Sequence, residues 1–187
     1  MTEAEIKQYI QTRFPKENES CDWKEFSNLK HVVKGHAGED IASYCSAFSN
    51  MEGGNLVMGV KDSTLDITGI QDFGGYNPDS LRGRIIRECI NLPTEGLYVT
   101  ELVASDSHKI VWILTVPKHL TRRPVFVHGQ AWQRLDDRLI KLTDERYNKI
   151  INEIEVPYDW SAEIITDATI KDLDPVAIIK AGAVHDS

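Results

Sequence analysis

The sequence predicts an α+β domain in which a mixed sheet and helices form two layers, and two observations predict this class. Helical and strand-like patterns alternate over the first half of the chain, whereas the second half carries two strand pairs before a final helix. The chain has 187 residues, of which 41% are apolar and 27% are charged. This composition is typical of a folded protein with one sizeable core.

The chain opens with a predicted helix. Thr2 and Glu5 form a capping box, and apolar residues then recur at helical spacing until Pro15 ends the helix. Residues 21–26 follow as a short predicted strand, in which successive side chains point to opposite faces.

A second helix and strand are predicted directly after each other. Between His36 and Asn50, apolar residues fall at the spacing of one helix face. Gly53 and Gly54 end this helix. The apolar run over residues 56–60 then predicts a strand that is covered on both faces.

The remainder of the domain is predicted as a helix, two hairpins and a last helix. Asn77 caps the helix, and Pro78 occupies its first position. The hairpins pair residues 97–103 with 110–116 and residues 125–127 with 131–134, and Thr143 caps a last helix that runs to about Glu153.

Acidic residues are concentrated towards the C-terminus. Residues 1–135 hold 17 acidic and 15 basic residues, whereas residues 136–187 hold 12 acidic and six basic ones. We therefore predict one domain over residues 1–155 and an acidic linker or tail over residues 156–187, with a short helix near Pro175 that leads to a further module. The sequence shows no leader peptide and no long apolar stretch, which predicts a cytoplasmic protein without a membrane partner.

The short motifs of several enzyme classes are absent from the sequence. It contains no P-loop, no dinucleotide-binding glycine pattern, no nucleophile elbow and no zinc-protease motif. Its three cysteines and six histidines show no spacing typical of metal ligands. These absences argue against nucleotide hydrolysis and zinc-dependent catalysis.

Two segments carry a resemblance to a known family. Residues 17–26 (ENESCDWKEF) and 47–62 (AFSNMEGGNLVMGVKD) resemble the Schlafen AlbA-type domain, once called a divergent AAA domain. The segment ITGIQD over residues 67–72, and PVFVHG from Pro124 with the arginine that follows at position 134, look like later parts of the same pattern. The resemblance covers residues 17–153.

The resemblance implies a nucleic-acid-binding, specifically DNA-binding, domain of the kind found at the N-terminus of bacterial proteins described as transcriptional regulators. Such proteins continue into an ATPase-like region and a winged helix, so the resemblance implies that similar modules follow here. No cofactor is implied for binding.

The resemblance also implies a candidate catalytic and metal site. Related domains cleave RNA with three acidic residues, whose positions correspond to Glu17, Asp22 and Asp62 here. Carboxylates are the ligands that Mg²⁺ and Mn²⁺ prefer. Asp22 stands where the family usually has Glu, which shortens the side chain by one methylene. A solvated or capping role for these acids stays open.

Basic residues predict where nucleic acid would bind. Lys24 lies two residues after Asp22, on the same face of the predicted strand, and could hold a phosphate. The further candidates are Arg82, Arg84 and Arg87 on one helix, the loop residues Lys118, Arg122 and Arg123, and Arg134. An ordinary solvated surface stays open for them. The predicted strands carry no aromatic array, so base-specific recognition is not expected.

Three functions therefore stay open from the sequence. Electrostatic binding of DNA or RNA is favoured over catalysis. The enzyme alternative is an endoribonuclease that depends on Mg²⁺ or Mn²⁺. The third alternative is a protein-interaction module, including a homodimer.

Overall fold

A computed structural model describes residues 1–33, 35–62 and 64–154. The predicted acidic tail and its short helix lie outside these residues. The helices are α1 (Glu3–Arg13), α2 (Leu29–Val33), α3 (Ile41–Ser49), α4 (Pro78–Glu88) and α5 (Asp144–Ile151). The strands are β1 (Cys21–Lys24), β2 (Gly54–Met58), β3 (Cys89–Ile90), β4 (Tyr98–Val103), β5 (Ile110–Val116), β6 (Phe126–Val127), β7 (Gln130–Leu135) and β8 (Arg138–Lys141).

The strands form two sheets of four. The first has the order β1-β2-β5-β4, in which β1 and β2 are parallel and the other pairs are antiparallel. The second has the order β3-β6-β7-β8 and is antiparallel throughout. The predicted α+β class and mixed sheet are confirmed, and the second sheet is a feature that the sequence pattern did not separate from the first.

Helices cover both faces of the first sheet. On one face, Ile6 and Ile10 of α1 pack with Trp23, Val57 and Ile113 of the strands. On the other face, α3 and α4 form the larger core with the strands, and every residue of α3 is buried. The chain thus buries a helix at the centre of the domain.

Local signals for the helix ends operate as predicted. Thr2 and Glu5 form the capping box of α1, Asn77 caps α4 with Pro78 in its first turn, and Thr143 caps α5. The predicted helix from His36 was wrong in its start, because the Asp40 side chain accepts a hydrogen bond from the Ser43 amide and makes Asp40 the N-cap.

Asn50 joins α3 to the second sheet. Its amide nitrogen donates to the carbonyl oxygens of Val125 and Trp132, each at 2.9 Å, and its amide oxygen accepts from the Val125 amide at 2.7 Å. Because Asn50 is fully buried, these bonds satisfy backbone groups that water cannot reach. Asn50 therefore fixes the position of the turn that follows α3.

The described residues contain no helix that is long and apolar enough to cross a membrane.

Candidate functional site

Three carboxylates and one lysine meet at the end of β1. Lys24 Nζ lies 2.8 Å from Asp22 Oδ1, 3.4 Å from Asp62 Oδ2 and 3.6 Å from Glu17 Oε1. Asp22 and Lys24 share one face of β1, as the alternation predicted, and Asp62 follows the neighbouring strand β2. We call these four residues the acidic cluster.

The carboxyl groups of Glu17 and Asp22 differ in pKa. Burial and a side-chain hydrogen bond with Asp22 raise the pKa of Glu17 to about 7. Burial also raises the pKa of Asp22, but hydrogen bonds with Glu17 and Lys24 and the charge of Arg134 hold that pKa below its ordinary value. Asp22 is therefore ionised at neutral pH, whereas Glu17 takes up a proton at a higher pH than an ordinary glutamate does.

Arg134 closes the inner side of the acidic cluster. Its Nη1 donates to Asp22 Oδ2 at 2.7 Å, and both side chains are fully buried. The guanidinium lies 5.8 Å from the centre of the Tyr44 ring and 5.6 Å from that of Phe48. Since Arg134 belongs to β7, this ion pair connects the second sheet to the first.

The acidic cluster does not fit a divalent cation in this arrangement. Its carboxylate oxygens are suitable ligands for Mg²⁺ or Mn²⁺. The Lys24 ammonium, however, lies where the three carboxylates converge, and a metal ion there would place two cations side by side. Within the described parts of the chain, no group of three or more histidine, cysteine, aspartate and glutamate residues is arranged to hold a metal.

Two of the residues predicted to contact nucleic acid are engaged by carboxylates within the protein. Arg134 is 1% exposed and lies in the core between the sheets. Lys24 is held among the three carboxylates of the acidic cluster. Burial keeps Arg134 away from a phosphate at the surface, and a phosphate at the partly exposed Lys24 would compete with the contact to Asp22.

The other predicted basic residues lie on the surface but differ in their partners. Arg82 donates to the carbonyl oxygen of Leu97, and Arg122 donates to that of Glu153. Arg84 forms an ion pair with Glu88. Lys118 forms ion pairs with Glu52 at 3.0 Å and with Glu153 at 3.3 Å. Arg87 and Arg123 are exposed, and the described chain offers neither of them an ion-pair partner.

An open groove of about 610 Å³ lies beside the turn between α3 and β2. Lys16 and Lys149 line it, and neither forms an ion pair with a described residue. The remaining lining residues are Asn18, Glu19, Ser20, Met51, Glu52, Gly53 and Arg146. Lys118 adjoins this groove through its ion pair with Glu52, so the predicted basic loop and the groove lie next to each other.

Comparison with known families decides the relationship of the chain. The family model described as Schlafen, AlbA_2 matches residues 17–143. The chain belongs to the Schlafen AlbA_2 family. The family match confirms the resemblance that the two sequence segments carried, and it includes the acidic cluster, Arg134 and the turn after α3.

Two solved structures are similar to this Schlafen AlbA_2 domain, and one of them supports its fold. The chain is similar to the DIP2311 protein from Corynebacterium diphtheriae, with 18% identity and a TM-score of 0.52 over 86% of this chain and 28% of that one. A second similar structure is the N-terminal domain of an ATP-dependent DNA helicase RecG-related protein from Nitrosomonas europaea. Its sequence identity is 16% and its TM-score is 0.39, and the match covers 77% of this chain and 92% of that one. The first likeness supports the α+β fold, and the chain spans less than a third of the DIP2311 protein.

Arg146 is a groove residue of this Schlafen AlbA_2 domain that sequence reasoning missed. Its Nε donates to the Asn50 carbonyl oxygen at 2.8 Å and its Nη2 to that of Met51 at 2.9 Å, so a cation lies at the C-terminal end of α3. The glycine pair after α3 marked the helix end that Arg146 binds. No local pattern indicated that α5 would bring Arg146 there, because 95 residues separate it from Met51.

Proposed function

We propose that this domain binds DNA or RNA through the groove beside α3, as one module of a larger regulatory protein. The observation that carries the proposal is the pair Lys16 and Lys149, whose charges line the groove without an acidic partner in the described chain. An ammonium group that is exposed and unpaired gains most from a phosphate, because binding releases counterions from the nucleic acid.

Basic side chains outnumber acidic ones around the groove, which Lys16, Arg146 and Lys149 line together with Glu19 and Glu52. Glu52 lines it but is occupied by Lys118 at 3.0 Å and Arg146 at 3.4 Å. Burial raises the pKa of Glu52, but the Lys118 and Arg146 contacts outweigh it and lower that pKa. Lys118 thereby extends the basic surface of the groove towards the loop that contains Arg122 and Arg123.

Contacts of this kind position a nucleic acid without reading its sequence. Lysine donors to phosphate oxygens are insensitive to the bases, so we expect weak sequence selectivity. The family relationship supports a role in nucleic-acid metabolism. Within this proposal, the whole protein is a cytoplasmic, bacterial-type transcriptional regulator, and modules beyond the linker of residues 156–187 supply its further activities.

The proposal is tested by fluorescence anisotropy with labelled single-stranded RNA, single-stranded DNA and duplex DNA, from about 50 to about 200 mM salt. The unmodified chain is expected to bind with a steep dependence on salt. The variant Lys16→Glu, Lys149→Glu removes about two phosphate contacts. On single strands its slope of log affinity against log salt is expected to fall by about 1.4.

The matched control is Lys30→Glu, Lys141→Glu, which changes the net charge equally at two exposed positions outside the groove. Equal losses in both variants would overturn the groove as the binding site. Shortening of the RNA probe in Mn²⁺ but not in EDTA would instead favour the ribonuclease. Absence of binding by every probe, with a dimer in sedimentation, would favour the interaction module.

A further inference from the structure

A second depression, of about 330 Å³, lies on the face of the first sheet that α1 partly covers. Two rows of paired strand residues form its floor. One row is Asn55, Thr115 and Tyr98, and the next contains Ile113 and Thr100. We call this depression the sheet-face pocket.

Aromatic rings from two distant parts of the chain surround the sheet-face pocket. Tyr98 on β4 is 52% exposed, and Tyr9 and Phe14 reach the pocket from α1 and its C-cap. The Arg13 guanidinium lies 5.6 Å from the centre of the Tyr9 ring, and no described carboxylate pairs with it. Of the three rings Tyr98 is the exposed one, and an exposed aromatic ring is a surface on which single-stranded nucleic acids stack their bases.

Polar groups on the pocket floor could bind the edge of a base. Thr115 Oγ1 donates to Asn55 Oδ1 at 2.9 Å, which fixes the orientation of the Asn55 amide. The amide nitrogen of Asn55 has no acceptor among the described residues and is half-buried at the pocket. A fixed amide donor beside aromatic side chains suits a carbonyl oxygen or ring nitrogen of a base.

The sheet-face pocket lies next to the proposed phosphate groove. Phe14 and Arg13 line the pocket and Lys16 lines the groove, so the chain passes from one to the other within three residues. Gly53, directly before β2, lines the groove, and Asn55 on β2 lines the pocket. One strand of nucleic acid could therefore place a phosphate at Lys16 and an adjoining base in the pocket.

We propose that the sheet-face pocket binds an unpaired nucleobase of single-stranded nucleic acid, with Tyr98 as the main stacking surface. This inference rests on the proposed function and gives it a substrate class, because the bases of a duplex are already stacked and paired. It predicts a preference for single strands over duplexes that phosphate contacts alone do not produce.

The test compares two single-stranded probes of about 12 nucleotides. One is oligothymidine, and the other is an abasic strand with the same phosphates and no bases. The unmodified chain is expected to bind oligothymidine more tightly. Tyr98→Ala is expected to weaken binding to oligothymidine about fivefold or more and to leave the abasic strand unaffected. Tyr98→Phe keeps the ring and is expected to restore binding.

The matched control is Tyr147→Ala, which removes an exposed tyrosine that lines neither the groove nor the sheet-face pocket. Unchanged binding of Tyr98→Ala to the abasic strand also shows that this variant is folded.

Equal affinity of the unmodified chain for the two probes would overturn the base pocket while leaving the phosphate groove in place. Failure to bind either probe would instead refute the proposed function itself. A change in oligomeric state on Tyr98→Ala, with unchanged oligothymidine binding, would assign this face to a second copy of the chain and overturn the inference.

Discussion

Replacing Arg134 by methionine tests how the two sheets are joined. The change removes the guanidinium that donates to Asp22 at 2.7 Å and keeps an unbranched apolar side chain between Tyr44 and Phe48. Asp22 remains buried and ionised, since it still contacts Lys24. The variant therefore isolates the loss of one partner from a buried ion pair.

The expected cost follows from the burial of both charges. Removing one partner of a buried ion pair costs about 3–5 kcal/mol, because the remaining charge is left without compensation. Lys24 still compensates part of the Asp22 charge, so we expect about 3 kcal/mol in the free energy of unfolding. For a domain of this size, that loss lowers the melting temperature by about 6–12 °C.

Urea denaturation near neutral pH measures this loss, with Arg138→Met on the exposed strand β8 as the control. The control is expected to change the free energy of unfolding by less than about 0.5 kcal/mol. The folded pKa of Asp22 lies below its ordinary value of 3.8, so the stabilisation is present above that value and is lost as pH falls through the folded pKa. A loss below about 1 kcal/mol at neutral pH would refute the structural role assigned to this pair.

Three further predictions concern single residues. The folded pKa of Glu17 lies near 7, above its ordinary value of 4.5, so its contribution to stability is present below 4.5 and is lost as pH rises through about 7. Glu17→Gln should remove this loss, so that above pH 7 its free energy of unfolding in urea exceeds that of the unmodified chain. We expect a difference of only about 1 kcal/mol, because solvent screens the partly exposed carboxyl group. Equal dependence of stability on pH in the two proteins would contradict this prediction. Asn50→Ala should cost about 3 kcal/mol in the same measurement, because it leaves buried backbone groups of Val125 and Trp132 unpaired, and a cost within the error of the assay would show that the turn is held otherwise. In gel assays with Mn²⁺, labelled RNA should stay intact with both the unmodified chain and Asp62→Asn; scission that Asp62→Asn abolishes would establish the ribonuclease instead.

The parts of the fold that depend on neighbouring residues were predictable from the sequence. The Thr2 capping box, the Asn77 cap and the shared face of Asp22 and Lys24 follow from hydrogen bonds and periodicity over a few residues. The helix α2 was missed because its five residues are too few to show a helical period. Strand β8 was missed because the turn before it places Asp136 at a φ of +56°. Glycine is the usual sign of such a turn, and no glycine is present there.

The candidate site could be predicted only in part, because it depends on contacts between distant residues. The sequence grouped Glu17, Asp22 and Asp62 through the family resemblance, and the structure places Lys24 among them. Arg134 lies 112 residues from Asp22, and arginine is mostly exposed in proteins, so its burial had no local signal. The groove likewise joins Lys16 to Lys149 from opposite ends of the domain.

The central claim is that the groove beside α3 binds nucleic acid, and a two-dimensional ¹H–¹⁵N NMR titration with single-stranded RNA tests it most directly. The account predicts that the amides of residues 16–20, 51–53 and 146–149 shift together on binding, and that these shifts are lost in Lys16→Glu, Lys149→Glu. Shifts confined to α4 around Arg87, with the groove amides unchanged, would contradict it.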